Sequence, residues 1–170
     1  MNKPNYMDII ADQFPNLSVT SFGDPSDYTS LVATAPAVVP PQAQLDGLLN
    51  ATAIDMMWAA IKAERDRRTQ NGGSHVGAYW YHSDQPSRTQ QIALVLLGAN
   101  MPQPLLWKTM SGEFVNMTPT LAQQVFLGAV GLDQAVFTVA ETHHARMAQT
   151  PTPWSYDFST GWPLMYEETL

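Results

Sequence analysis

Residues 41–69, PQAQLDGLLNATAIDMMWAAIKAERDRRT, decide the fold. Leu45, Leu48, Leu49, Thr52, Met56, Ala59, Ala60 and Ala63 recur at helical spacing, and Ile54, Trp58 and Ile61 widen the stripe. Apolar residues at that period share one face of an α-helix, and a stripe this broad predicts a face against a core, wider than a coiled-coil seam. Pro41 suits a first helical position, where its missing N–H costs nothing, and Asn71-Gly72-Gly73 supplies a stop. Lys62, Arg65, Arg67 and Arg68 are half of the 8 basic residues in the chain. They fall in the last turns, at the negative end of the helix dipole. Glu64 can reach Arg68, and Lys62 can reach Asp66, each one helical turn away.

Further along, Thr118 is a good N-cap and Pro119 a good first residue for a second long helix. Leu121, Val125, Ala129, Leu132, Val136, Val139 and His143 follow a four-three alternation that reaches Met147, and Phe126, Val130 and Phe137 broaden it. Gly128 and Gly131 each cost roughly 1 kcal/mol relative to Ala inside a helix, which points to a kink or a close crossing there. Two helices with such faces are expected to pack as an antiparallel pair.

Shorter elements lie between and before them. Residues 76–82 read as one aromatic strand. A shorter helix is expected from Pro86 to about Gly98, with Ile92, Val95, Leu96 and Ala99 inward and Arg88 and Gln91 outward. Residues 106–117 read as a hairpin turning at Met110-Ser111-Gly112-Glu113. Near the start, Tyr6, Ile9 and Ile10 suggest one or two helical turns, and residues 17–22 and 28–33 suggest a strand pair around Gly23-Asp24-Pro25. The expected class is therefore α+β: two long antiparallel helices, a shorter helix, a small antiparallel sheet or hairpin, and an extended C-terminal arm. The expected division is a small β-containing region at 1–40, a helical core at 41–148, and an arm at 149–170 rich in proline and aromatics.

Composition narrows the function. The 170 residues carry a formal net charge of −7 and no cysteine. Thiolate chemistry and a disulfide framework are excluded. Nucleic-acid binding needs a cationic footprint that the scattered basic residues do not supply, so none is expected. The first 15 residues hold Asp8 and Asp12 and no basic-then-apolar leader, and no run reaches 18 uncharged apolar residues. No membrane partner is expected, and synthesis in a cytoplasm is.

A search for chemistry returns little. His143 and His144 are adjacent on a helix and point about 100° apart, so one ion cannot readily take both. A metal site from His75, His82, Glu141 and His144 would need four distant residues to converge; His143 reads better as a boundary residue on the apolar face. Asp24, Asp27, Asp66 and Asp84 sit in turns and at element ends, where carboxylates cap. There is no phosphate loop, nucleophile elbow or dinucleotide fingerprint. We therefore expect no enzyme activity, no cofactor and no metal. The candidates for contact are Arg67 and Arg68, whose planar forks suit carboxylates, and the arm aromatics Trp154, Tyr156, Phe158, Trp162 and Tyr166, which suit hot spots. The arm is expected to lie across a neighbouring subunit or partner.

One set of segments resembles a known family. Ile61-Lys62-Ala63-Glu64-Arg65-Asp66-Arg67-Arg68, then Gly72-Gly73, the strand at 76–82 and Ser87-Arg88 are similar to the DUF4376 domain of tailed-phage tail-fibre and tail-assembly proteins. The similarity continues through Trp107-Lys108-Thr109-Met110-Ser111-Gly112-Glu113, Met117-Thr118 and the helix to His143 and Ala145, covering about residues 50–148. The resemblance implies assembly in a host cytoplasm, use in the viral tail and no catalysis; the expected partners are tail-fibre or baseplate proteins and further copies of the chain, and the expected place is the virion tail. It implies a structural part of the tail, with a fibre-assembly chaperone as the alternative.

Overall fold

The computed structural model describes residues 2–170. They form two compact units: Met1–Ile61 with His143–Phe158, and Lys62–Thr142 with Ser159–Leu170. The divisions fall inside the two long helices and inside the arm, not at 40 and 148 as expected from composition. Proline-rich connectors mark where helices end; packing determines where a unit ends, and here it runs through the helices.

In the first unit, α1 (Tyr6–Gln13) starts at Asn5, whose side chain accepts from the Asp8 N–H while the Asp8 carboxylate accepts from the Asn5 N–H. That reciprocal cap satisfies two end donors. Ile9 and Ile10 of α1 are buried with Leu31 and Leu45. β1 (Val19–Ser21) pairs antiparallel with β2 (Leu31–Ala33), Thr20 opposite Val32. The turn between them is tied by Asp24, which accepts from the Ser26 N–H, and Asp27, which accepts from the Thr29 N–H. This is the strand pair read from sequence, shortened because Tyr28–Ser30 is a turn of 3-10 helix.

The first long helix is α2 (Gln42–Asn71). Its buried line runs through Leu45, Thr52, Ala53, Met57 and Ile61, while Ala59 and Ala63 face outward. Leu45, Thr52 and Ile61 belong to the expected stripe, but Ala53 and Met57 are buried in place of Met56, Ala59 and Ala63, because burying Met57 removes far more apolar area from water than burying an alanine. In this first unit Trp58 stacks on His144, ring centroids 4.2 Å apart.

In the second unit, β3 (Ser74–Val76) and β4 (Tyr79–Tyr81) form an antiparallel hairpin, where a single strand was expected. Gly77-Ala78 make the two-residue turn, with Gly77 at φ +64°. A glycine with positive φ at the first turn position lets the chain reverse inside the aromatic run. β5 (Leu106–Lys108) pairs with β6 (Phe114–Asn116), Trp107 opposite Val115, as the hairpin reading proposed. α3 (Gln85–Leu97) lies between the two hairpins in sequence and is capped by Asp84, which accepts from the Ser87 N–H.

The second long helix is α4 (Pro119–Met147). Its inward residues in this unit include Ala122, Val125, Ala129, Val136 and Ala140. Tyr81, Met101 and Met117 complete the core with Ala122 and Val125, and Trp107, Val115, Leu94 and Val95 pack around it. At Gly128, where a kink or a close helix crossing was expected, the close neighbour is strand β3: a Cβ there would meet Val76 Cγ2 at 2.8 Å. Within this unit α2 and α4 run antiparallel. Arg65 lies over the Phe137 ring at 4.7 Å, and Arg88 joins the Thr69 carbonyl to Asp133. By length and mean hydropathy (1.3) α4 could cross a membrane, yet Asp133 is ion-paired with Arg88 in its middle. The class is α+β, with four helices and three two-stranded antiparallel sheets among the described residues.

α3 departs most from expectation. Gln91 is its one fully buried residue, at 2% exposure, while Leu96 is 82% exposed. Arg88 also turns inward, donating to the Ser83 carbonyl at 2.6 Å and bidentately to Asp133. Gln91 Nε2 donates to the His82 carbonyl at 2.9 Å. These bonds fix the rotation of the helix, so the aliphatic residues expected inside at Ile92 and Leu96 point out.

Candidate functional site

The basic run at the end of α2 is built around Arg68, which is 6% exposed. The helical period aligns it with Glu64, one turn back, and its Nε donates to Glu64 Oε1 at 2.5 Å. The other nitrogens face the arm. Nη1 donates to the Pro163 carbonyl at 2.7 Å and Nη2 to Glu168 Oε1 at 2.8 Å. The guanidinium stands 5.5 Å from the Trp162 ring centre. One planar fork thus fastens a backbone carbonyl and a carboxylate of the arm and a carboxylate of its own helix, a geometry that a lysine could not reproduce.

Arg67 is more exposed and makes parallel bonds. Its Nε and Nη2 donate to Glu64 at 2.8 and 2.9 Å, and its Nη1 donates to Glu167 at 2.6 Å. The Glu64 carboxyl is held below its ordinary range, first by Arg67, with burial opposing and Arg68 adding to the effect. The Glu168 carboxyl is lowered chiefly by Arg68 and then by the Met165 N–H. The Arg67 guanidinium is raised by Glu64 and Glu167. Asp66 pairs with Arg65 at 2.7 Å.

The same segment is fixed by its backbone and by burial. The Tyr166 N–H donates to the Gly72 carbonyl at 2.8 Å, Met165 is buried, and the Tyr166 ring lies 6.1 Å from that of Trp80. A Cβ at Gly72 would collide first with the Arg68 carbonyl, and it would also reach Met165 Cγ at 3.3 Å.

The earlier half of the arm packs in the first unit. Tyr156 Oη and His143 Nδ1 share a hydrogen bond of 2.8 Å, and Phe158 meets the His143 ring edge-on. Lys3 lies over the Trp154 ring at 5.9 Å, and Pro153 is buried.

The arm expected to lie across a neighbour therefore lies on its own chain. Trp154, Tyr156, Phe158, Trp162 and Tyr166 are all half-buried in cis. The physical reason is that the arm carries its own fasteners. Glu167 and Glu168 meet Arg67 and Arg68, and His143, read as a boundary residue, is a hydrogen-bonding site. Glu167 and Glu168 stand one hundred residues beyond Arg67 and Arg68, too far for any local pattern to join them. Arg67 and Arg68 are placed together, as expected, but with arm carboxylates as their partners.

Of the residues weighed for a metal, His75 lies against Trp80 at 5.0 Å, and His144 is stacked on Trp58. Among the described residues no group of three His, Asp or Glu side chains is placed to hold an ion.

The fold and the arginine cluster define a small α+β domain whose conspicuous polar chemistry is ion pairing. The chain belongs to DUF4376, a domain of unknown function, whose family model matches residues 52–160. That match extends past 148 and takes in the first half of the arm, with Trp154, Tyr156 and Phe158, whereas the arm had been set outside the resemblance. No curated protein and no solved structure matches the chain.

Proposed function

We propose that this chain is a non-enzymatic structural component of a bacteriophage tail, in the fibre or baseplate region, acting through protein–protein contacts. The observation that carries the contact role is the apolar surface left open in the second unit: Leu96, and on the outer face of β5–β6, Leu106 and Phe114 at 65% and 64% exposure. Large outward apolar side chains cost solubility, and grouped on one face they mark sites of protein association. The tail context is supported by the resemblance of the helix, glycine pair, aromatic strand and Trp-turn segments to tail-fibre and tail-assembly proteins. On this reading the partners are fibre or baseplate proteins, assembly occurs in the host cytoplasm, and the product resides in the virion tail. The arm is spent on its own domain, so attachment falls to the open faces.

Quantitative mass spectrometry of washed, purified particles tests the reading. The expected result is a fixed copy number per particle. Presence in the infected-cell lysate with absence from particles would move the assignment to an assembly chaperone that leaves the finished tail. Absence from both would sink the tail reading.

A further inference from the structure

Residues 163–170 lie on the body of the second unit as a self-contained strap. Tyr166–Thr169 is one turn of 3-10 helix, and the Glu168 carboxylate closes it by accepting from the Met165 N–H at 2.9 Å. Just before the strap, Gly161 has φ +86°, a joint where a glycine turns without strain. Little of the strap is sunk into the body. Met165 is buried, but Leu164 and Leu170 are largely exposed. The side chains of Glu167 and Glu168, which carry the ion pairs, are 62% and 34% exposed. Pairs this open to water are weak and are screened by salt.

The seat beneath makes its own demand. Glu64 accepts from both Arg67 and Arg68. With the strap lifted, that one carboxylate faces two guanidiniums, a net positive spot on a chain of net charge −7. Both Nη atoms of the buried Arg68 would also lose their acceptors, the Pro163 carbonyl and Glu168. Buried charged donors without acceptors are costly, so the seat favours an occupied state, with the strap or with a segment of the same chemistry. The strap leaves the seat only part-filled. A cavity of about 330 Å³ lies at Leu164, walled by Ser74, His75, Trp80 and Leu132.

We infer that residues 163–170 are an autoinhibitory strap, which holds closed a seat for an acidic segment of a partner protein. The segment that fits offers a backbone carbonyl to Arg68, an apolar side chain in the place of Met165, and carboxylates to both guanidiniums. Charge selects that occupant. The acidic excess of the chain repels such a segment from most of the surface, and the arginine pair is where one is drawn in. The strap is tethered and so competes at a high effective concentration; the cavity at Leu164 is contact area that a partner gains and the strap leaves unused. While the strap is closed, contact falls to the open faces of the second unit, and opening adds a site read by charge. The seat does not depend on the tail assignment.

Fluorescence anisotropy on the purified full chain tests it, with a labelled peptide of residues 159–170 as the probe. The wild type is compared with a full chain carrying Glu167→Gln and Glu168→Gln, which loosens the strap and keeps both arginines. The expected result is that the peptide binds the loosened chain at least roughly tenfold more tightly than the wild type, and less tightly as salt is added. Arg67→Ala in the loosened chain weakens the binding with unchanged circular dichroism, and a peptide carrying Glu167→Lys and Glu168→Lys does not bind. Hydrogen exchange at the Tyr166 amide, expected to be faster in the loosened chain, reports the opening separately. A Tyr166 amide protected as in wild type overturns the inference, because the ion pairs then do not hold the strap. Faster exchange with no gain in affinity for the peptide also overturns it, because the vacated seat then recognises nothing. A wild-type dimer that Glu167→Gln with Glu168→Gln dissociates would give the seat to the strap of a second copy and overturn the partner assignment.

Discussion

The second unit holds two hairpins of equal size, three paired positions each, with opposite fates. In β3–β4, Tyr81 and Ser74 are buried, α4 crosses against Val76 at Gly128, and the Tyr166 ring of the arm lies near Trp80. In β5–β6, Trp107 and Val115 pack on the core while Leu106 and Phe114 remain open. Strand propensity does not separate them, since both are aromatic and apolar. The difference lies in what covers each outer side: a helix that can approach because it has a glycine, and an arm that two arginines hold down. Strand burial here is a property of the neighbours.

The widest test of that contrast is a pair of truncations. Tyr81→Ala should cost about 3–5 kcal/mol by chemical denaturation, as loss of a fully buried ring does. Phe114→Ala should change the stability of the monomer by less than about 0.5 kcal/mol. Similar losses at the two sites would erase the distinction.

The next effect concerns the arm. Arg68→Ala leaves Glu64 and Glu168 without their shared fork and should cost about 2–3 kcal/mol, below the fully buried case because both carboxylates are partly solvated. Arg67→Ala should cost less than about 1 kcal/mol. Hydrogen exchange at the Tyr166 amide should accelerate in the Arg68 variant; an amide protected as in wild type would mean that burial of Met165 alone holds the segment.

The same cluster gives a pH dependence of known sign. Glu64 and Glu168 have carboxyls lowered on folding from an ordinary value of 4.5. Groups of this kind contribute stability that is present above the unfolded value and lost as pH falls through the folded one. Thermal stability should therefore drop as the solution is acidified below about pH 4.5, and Arg68→Ala should flatten that dependence. An unchanged acid limb in the variant would count against the ion pairs.

Two smaller effects refine the picture of β3–β4. Gly128→Ala gains about 1 kcal/mol of helix propensity but forces Val76 away, at a cost of about 1–3 kcal/mol, so a modest net loss is expected in a thermal melt. Tyr81→Phe removes a hydroxyl that burial pushes up in pKa and that has no hydrogen-bond partner among the described residues. It should be neutral or stabilising by up to about 1 kcal/mol; a clear loss would reveal a bond that Tyr81 makes in solution.

Much of this architecture was legible because its signals are local. The period of 41–69, the Thr118-Pro119 start and the Ser111-Gly112 turn each report on their own neighbourhood. β3–β4 was missed because Gly77-Ala78 interrupts an aromatic run that otherwise reads as continuous, and only the positive φ of Gly77 reveals the reversal. The rotation of α3 was missed for a different reason. Apolar count places Ile92 and Leu96 inside, but Arg88 and Gln91 reach carbonyls at 83 and 82 and the carboxylate at 133, and such long-range polar bonds have no periodicity. The arginine pair was legible; its arm partners were not, because charge complementarity between distant segments leaves no mark in any window.

The interleaving of the two units has a consequence for biosynthesis. Met1–Ile61 leaves the ribosome first but closes against His143–Phe158, which emerges only after the middle of the chain. The N-terminal portion therefore waits through most of translation for its complement, and no single cut in the gene separates the two units. A fragment library would recover the first unit whole only from inserts that run from its N-terminal portion through to Phe158.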